Sequence, residues 1–329
     1  MAFSTAMRFF SLASPSAWAG RRKRSGIRKA IFLYHRIASR KNDPFALAVP
    51  ETWFQDHLDI LKSHCQLVSL DEILGTGTAH SSILASITFD DGYTDNLMTA
   101  APILRLAGIP ATFFICTGCL GDVRGFWWDR LANAIAAADV VSPEFESMKN
   151  VPLIDDLSSP EARRKATLKI AGRLQRMHPL HRDRVVADLE NDLLAGGTGK
   201  PELCPVLDEA GLRELGSQPL AQLGTHTHNH PMLSVLTPQE QLAEINLSGA
   251  KLQEITGTRP RFVAYPYGGE QDYNSDSCRA ARDAGLEAAF VNHAAPFDPK
   301  CQPYRLPRYY VPPLPADDFR TWLLRILHA

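Results

Sequence analysis

Short apolar runs that alternate with amphipathic stretches constrain this chain more than any other feature. Ala30 to Tyr34, Leu67 to Leu70, Leu84 to Phe89, Ala111 to Ile115, Gln222 to Gly224, Phe262 to Ala264 and Ala288 to Val291 read as strands. Between them, Trp53 to Ser63, Asn96 to Ala107 and Asp276 to Ala284 read as helices, and Thr237, Pro238 and Glu240 form a capping-box start for a helix to about Thr256. Strand and helix in alternation predict an α/β architecture built on a parallel sheet. From about Asp129 to Gly199 the alternation stops: Ala162 to Arg176 and Arg184 to Leu194 have helical periodicity with no convincing strand, which predicts a helical insertion. The expected division is a basic tail over 1–29, a sheet-based domain over 30–311 carrying an insertion at about 129–199, and a C-terminal helical segment over 312–329.

In such folds ligands gather at the carboxyl ends of the strands. His35 follows the first run, Asp90 and Asp91 follow Leu84 to Phe89, His226 follows Gln222 to Gly224, and Pro266 to Gly268 follow Phe262 to Ala264. These groups should therefore share one face. Neighbours on a regular strand face opposite sides, so Asp90 and Asp91 meet in one pocket only if the backbone bends there, and a bound cation would keep both ionised. The plainer alternative has Asp91 capping the turn into the helix near Asn96 and Asp90 exposed. Thr225-His226-Thr227-His228-Asn229-His230-Pro231 places three histidines at alternate positions, on one side of an extended segment, where they could converge on a metal or line a surface loop. Two imidazoles and one carboxylate are a common protein shell for catalytic zinc, leaving a position for water.

Composition narrows the alternatives. Lys+Arg 35 against Asp+Glu 36 leaves a formal charge of -1, without the basic excess of a nucleic-acid binder, so no nucleic-acid partner is expected. Cys65, Cys116, Cys119, Cys204, Cys278 and Cys301 lie in a chain long enough to fold without staples. Cys116 and Cys119 have C-x-x-C spacing but no second pair to complete a zinc site, and read as buried or loop thiols. Met1 to Trp18 is too broken for a spanning helix. With Arg21, Arg22, Lys23, Arg24, Arg28 and Lys29, its Phe3, Met7, Phe9 and Phe10 suit contact with an anionic membrane surface. A soluble tail, a surface anchor and a poor export signal all stay open; the expected location is cytoplasmic or peripheral to the cytoplasmic membrane face.

Thr88-Phe89-Asp90-Asp91-Gly92, His226-Thr227-x-x-His230-Pro231 and Tyr265-Pro266-Tyr267-Gly268 together resemble the motifs of the polysaccharide deacetylases, carbohydrate esterase family 4, in order and approximate spacing. Leu33-Tyr34-His35-Arg36, Leu212 to Leu215 and Arg305-Leu306-Pro307-Arg308 agree more weakly. The resemblance spans about residues 30 to 311, the insertion apart. It implies a distorted (β/α) barrel that removes N-acetyl, or occasionally O-acetyl, groups from a polysaccharide, oligosaccharide or glycolipid in envelope or exopolysaccharide biosynthesis. It further implies a divalent metal ion, foremost Zn2+, with Co2+, Ni2+ or Mn2+ as alternatives, and an acetylated glycan as partner. By the same resemblance Asp91, His226 and His230 are the metal ligands, Asp90 is the general base, and the backbone N–H of Tyr267 helps hold the oxyanion. His228 falls at a variable position of the motif.

The chain departs from the family in several places. Ala264 stands where the larger branch has an arginine, and neither the Asp-x-x-Asp-Trp motif nor the late Leu-x-x-His motif is present. Arg308 is the candidate to orient the base in place of the missing arginine, and His35 or His293 is the candidate proton donor. Phe126, Trp127 and Trp128 would stack on sugar rings if exposed and anchor the insertion if buried. Two further functions remain: hydrolysis of a small non-sugar amide or cyclic amide, and non-catalytic saccharide binding on the same barrel.

Overall fold

The computed structural model describes residues 29–75, 82–138, 157–195, 199–295, 297 and 302–328. The segment bearing the membrane-contact and export expectations, apart from Lys29, and Cys301 lie outside these residues; Lys29 belongs to the first strand, and its Nζ donates to Ile73 O at 2.6 Å. The first half contains β1 (Lys29–Tyr34), β2 (Arg36–Ile37), β3 (Ala48–Val49), α1 (Glu51–His64), β4 (Cys65–Leu67), α2 (Leu70–Leu74), β5 (Ile83–Phe89), α3 (Ala101–Ala107), β6 (Ala111–Ile115) and α4 (Trp127–Ala137). The second contains α5 (Pro160–Leu174), α6 (Pro179–Leu194), α7 (Glu209–Gly216), β7 (Ala221–Thr225), α8 (Pro238–Thr256), β8 (Phe262–Ala264), α9 (Ser275–Asp283), β9 (Ala288–Val291), β10 (Leu306–Pro307), β11 (Tyr309–Tyr310) and α10 (Ala316–Leu327).

The main sheet has the order β10-β9-β8-β7-β6-β5-β1-β11, with β4 paired to β5, and every pairing in it is parallel. Its two ends are one stretch of chain, because only Arg308 separates β10 from β11. β10 pairs with β9 and β11 with β1, which brings the ladder round into a nearly closed barrel. This is the distorted (β/α) barrel expected from the sequence. The apolar runs are continuous because both strand faces are covered. Phe32 and Tyr34 pack outward with α1, α3 and α10. Ile31, Leu84, Phe114, Phe262, Phe290 and Leu306 form a second cluster, joined by Val68, Leu70 and Ile73 from the segment that leaves β4.

Between β6 and β7 the described residues hold helices and no strand, apart from the isolated Tyr93–Val206 bridge. Trp127, Trp128, Leu131, Leu174, Val186 and Leu189 give these helices a core of their own, which also takes in Tyr93 and Tyr267 from the barrel loops. Phe126, Trp127 and Trp128 are all buried, so of their two readings the anchoring one holds.

Two local expectations change. The strand expected at Leu67 to Leu70 is Cys65–Leu67, because Ser69 and Glu72 form a capping box that starts α2 at Leu70. The helix expected from Asn96 opens with a wider π turn over Asn96–Ala100, in which the Ala101 N–H donates to Asn96 O. Pro102 has no N–H for a normal helical bond to Met98, and the wider turn accommodates that gap. Thr237 forms the expected capping box with Glu240 and Pro238 at the first turn of α8, and Gly257 ends that helix in the left-handed region at φ 75°.

Candidate active site

Sheet register alone brings the strand-end residues together. Tyr34 lies beside Phe89 in the β1–β5 ladder, so His35 and Asp90 leave the sheet as neighbours, and the Asp90 N–H donates to Tyr34 O at 3.0 Å. His226 leaves β7 one step beyond the Ile115–Thr225 pair. Arg308 enters from the closing segment.

The bend required by the Asp90-Asp91 pair is present. Asp91 has φ 78°, and the Gly92 N–H donates to Asp90 O at 3.0 Å, the bonding pattern and sign of φ of a γ-turn, a strained form. Tyr267 repeats the device with φ 61° and a Gly268 N–H to Pro266 O bond of 2.7 Å. Among the described residues, the non-glycine positions with positive φ are Ala46, Asp91, Thr227, His230 and Tyr267. All but Ala46 lie in the three sequence motifs. Backbone strain of about 1–3 kcal/mol per residue persists only where the surroundings impose it, and here it is concentrated on one site.

Asp91, His226 and His230 are buried and converge. Asp91 Oδ1 lies 3.5 Å from His226 Nε2 and 3.4 Å from His230 Nε2, and the two Nε2 atoms are 3.2 Å apart. Zinc bonds of about 2.0–2.1 Å in a tetrahedral shell separate ligand atoms by about 3.3 Å, so this triangle has the size of such a shell. The donor chemistry agrees. Both carboxylate oxygens of Asp91 are buried with no hydrogen-bond donor, a costly state for a carboxylate unless a cation is nearby. They cap no helix, which removes the plainer alternative. His226 Nδ1–H donates to Ala264 O at 2.8 Å, leaving the Nε2 lone pair directed at the cluster. Burial pushes the pKa of His226 down and that of His230 to about 3, while it pushes Asp91 up to about 6. Neutral imidazoles are the form that binds metal.

Asp90 sits in the same pocket under different control. Arg308, fully buried, donates from Nη1 to Oδ1 and from Nη2 to Oδ2, both at 2.7 Å, and Nη1 also reaches Thr88 Oγ1 at 3.3 Å. Burial alone would raise the Asp90 pKa, but the Arg308 guanidinium, helped by His226 and His35, holds it below the ordinary carboxylate value. Two adjacent aspartates thus differ in their surroundings: Asp90 is paired with a guanidinium, and Asp91 has no hydrogen-bond donor.

Of the other candidates, His35 is buried within reach of the charges of Asp91, Asp90, His226 and Arg308, and burial lowers its pKa. The Tyr267 ring packs edge-on to His230 with centroids 4.8 Å apart, and its hydroxyl accepts from Trp127 Nε1 at 3.2 Å. His293 does not join this group; after burial, the influence on it is Glu270. His228 turns away, its Nδ1 2.9 Å from Thr117 Oγ1.

Several contacts were not expected. Trp128 stacks obliquely on His230 at 4.6 Å, and its Nε1 donates to Tyr93 OH at 3.0 Å. Tyr93 OH donates to Asp129 Oδ2 at 2.6 Å. Arg40 Nη1 reaches Asp129 Oδ1 at 3.2 Å, and Arg36 pairs with Asp95 at 2.9 Å while lying 4.1 Å over the Tyr93 ring. Arg182 and Glu244 grip the histidine loop from opposite sides. A signal for both was available: each charge falls on the buried stripe of its helix, Arg182 in line with Val186 and Leu189, and Glu244 in line with Gln241 and Ser248.

Residues 78–142 and 164–289, more than half of the chain, match the family model described as Polysaccharide deacetylase. A stretch of 110 residues is 34% identical to YxkH of Bacillus subtilis, designated a polysaccharide deacetylase, covering 32% of this chain and 37% of that protein. A stretch of 51 residues is 39% identical to the peptidoglycan-N-acetylmuramic acid deacetylase PdaC of the same organism, covering 16% of this chain and 11% of PdaC. The matches therefore span well under two thirds of either relative. Among solved structures, the Streptococcus pyogenes deacetylase PplD in complex with acetate superposes with a TM-score of 0.57 at 16% identity, covering 92% of this chain and 99% of that one. IcaB from Ammonifex degensii gives 0.59 at 18% identity, covering 92% and 98%. At these identities the structural likeness concerns the fold.

Proposed function

The chain belongs to the polysaccharide deacetylase family, and from that premise we propose that it is a metal-dependent hydrolase that removes N-acetyl groups from a glycan of envelope or exopolysaccharide assembly. The observation that carries the reading is the separation of two neighbouring carboxylates, Asp91 facing His226 and His230 without a donor and Asp90 locked on Arg308.

Asp91, His226 and His230 would hold the ion, Zn2+ foremost, with Co2+, Ni2+ or Mn2+ as alternatives. A divalent ion bound there supplies Lewis acidity that polarises the acetyl carbonyl and acidifies water. Asp90 accepts the proton of the attacking water. Its low pKa keeps it ready as a base at neutral pH, and the bidentate guanidinium fixes the direction of its lone pairs. The backbone N–H of Tyr267, within its strained turn, is the donor assigned on this reading to the developing oxyanion. His35, buried beside Asp90 and kept neutral by that burial, would relay to the leaving amine the proton that Asp90 takes from water. The protein surroundings of His230, mostly aromatic, keep water from the third ligand.

Purified protein loaded with each of the four ions should release acetyl groups from at least one member of a panel of N- and O-acetylated oligosaccharides, read as mass loss, and chelation should stop turnover reversibly. Release confined to O-acetylated members would move the reading to an esterase. Hydrolysis of small cyclic amides with no glycan turned over would replace it with the amide hydrolase, and glycan binding without turnover would leave a saccharide-binding barrel.

A further inference from the structure

The loop from His226 to His230 delivers two imidazoles to one point through a distorted backbone, with Thr227 at φ 66° and His230 at φ 50°. A turn of this kind directs carbonyls and amides away from any sheet ladder, and each must find another partner. Two of the carbonyls are taken by one side chain. Arg182 Nη1 donates to His230 O at 2.9 Å and Nη2 to Asn229 O at 3.0 Å. On the opposite side the Glu244 carboxylate of α8 accepts from His228 N at 2.9 Å, Asn229 N at 2.8 Å and Asn229 Nδ2 at 2.7 Å. The loop is thus clamped between a cation on its carbonyls and an anion on its amides.

Arg182 comes from α6, inside the insertion and remote in sequence from every strand end. It is 2% exposed, its Nε donates to Asp183 Oδ1 at 2.7 Å, and its guanidinium lies 5.3 Å over the Trp127 ring. An arginine that only tied the insertion to the barrel would be expected on a barrel carboxylate. Arg182 instead spends its two terminal nitrogens on backbone carbonyls, one belonging to His230 itself. Any rotation about the His230 backbone swings its Nε2 out of the 3.2–3.5 Å triangle.

We propose that Arg182 is a positioning residue for His230, so that the insertion sets the metal affinity of the barrel site. The proposal rests on reading Asp91, His226 and His230 as a metal centre. Groups that hold a metal ligand from outside the shell commonly change affinity by about 10- to 100-fold when lost.

The test uses the full chain with Arg182→Ala, Arg182→Lys and, as a control, Leu193→Ala, a buried position near the far end of the same helix. Zn2+ affinity is measured by competition with a chromophoric chelator, and amide hydrogen exchange over residues 227–231 is followed in the metal-free protein. Arg182→Ala should weaken Zn2+ binding at least about tenfold and speed exchange in the loop. Arg182→Lys should fall between it and the wild type, because an ammonium cannot bridge both carbonyls in the guanidinium's geometry. Leu193→Ala should lower the melting temperature and leave loop exchange and Zn2+ affinity unchanged. Affinity within twofold of wild type for Arg182→Ala, or equal loss in Leu193→Ala, overturns the proposal. If Arg182→Ala yields no folded protein, an unchanged Arg182→Lys overturns it just as well. A wild type that binds no divalent ion would remove the metal reading instead, and loop exchange would then decide the clamp.

Discussion

The barrel wall and the insertion approach the same cluster with different physics. On the wall side the contacts are charged: a fully buried bidentate pair joins Asp90 to Arg308, placed by the ends of β5 and by the segment that closes the sheet. On the insertion side the contacts are rings and carbonyls, with Trp128 against the His230 imidazole and Arg182 on the His230 carbonyl. On the function and the inference proposed above, the wall sets the protonation state of the base, whereas the insertion sets the shape of the ligand shell. Both sides are buried, so changes to either should cost stability; changes to the first should also alter chemistry, and changes to the second metal retention.

The strongest way to break this contrast is Asp90→Asn. It should reduce deacetylation by about 10²- to 10⁴-fold, the span of a lost general base, while Zn2+ content stays near wild type; the buried Arg308 guanidinium loses its anionic partner, so the melting temperature should fall as well, and loss of the metal in this variant would merge the two sides. Arg308→Met comes next. It leaves a buried Asp90 carboxylate without its partner, so urea unfolding should show a loss of about 3–5 kcal/mol along with the activity.

On the insertion side, Tyr93→Phe deletes the hydroxyl that joins Trp128 to Asp129. Unfolding free energy should fall by about 1–3 kcal/mol, with a smaller effect on turnover than either wall variant. A still smaller effect belongs to neither side. His57 is buried on α1, stacked 3.8 Å from the Phe319 ring, with Nε2–H donating to Leu314 O at 2.7 Å. Burial depresses its pKa from 6.5 to about 4. The unfolded ring takes up a proton as pH falls through 6.5 and the folded ring resists until about 4, so stability present above 6.5 is lost progressively between these values. Melting temperatures across that window should fall less steeply for His57→Phe than for wild type, at unchanged Zn2+ affinity. A pH slope equal in the two proteins would show that other groups control it.

The wall side was readable because parallel-sheet geometry turns sequence position into spatial position: a polar residue one step past an apolar strand arrives at the ligand-binding face. Asp90 and His226 follow this rule, His35 arrives beside Asp90 for the same reason, and Asp91, one step further on, joins them through its bend; Arg308 was legible only through the family resemblance. Cys116 and Cys119 are a buried and a half-buried thiol, with the Cys116 Sγ–H donating to His228 O at 3.1 Å. The insertion side was harder to read because a helical pattern marks which face is buried, not what it is buried against. Arg182 within an apolar stripe announced a buried charge, yet nothing local indicated that its partners would be the carbonyls of a loop nearly fifty residues away.

Hydrophobic periodicity was enough to specify an α/β chain on a parallel sheet, since it depends on local order, and three short motifs, through the family they resemble, implied the barrel and the residues proposed to hold a cation and move a proton. The four left-handed backbone positions, the different surroundings of two adjacent aspartates, and the packing of the insertion against the histidine loop emerged only on folding. Each depends on burial and on contacts between segments far apart in the chain, and a pattern of neighbours along one strand or helix carries no record of either.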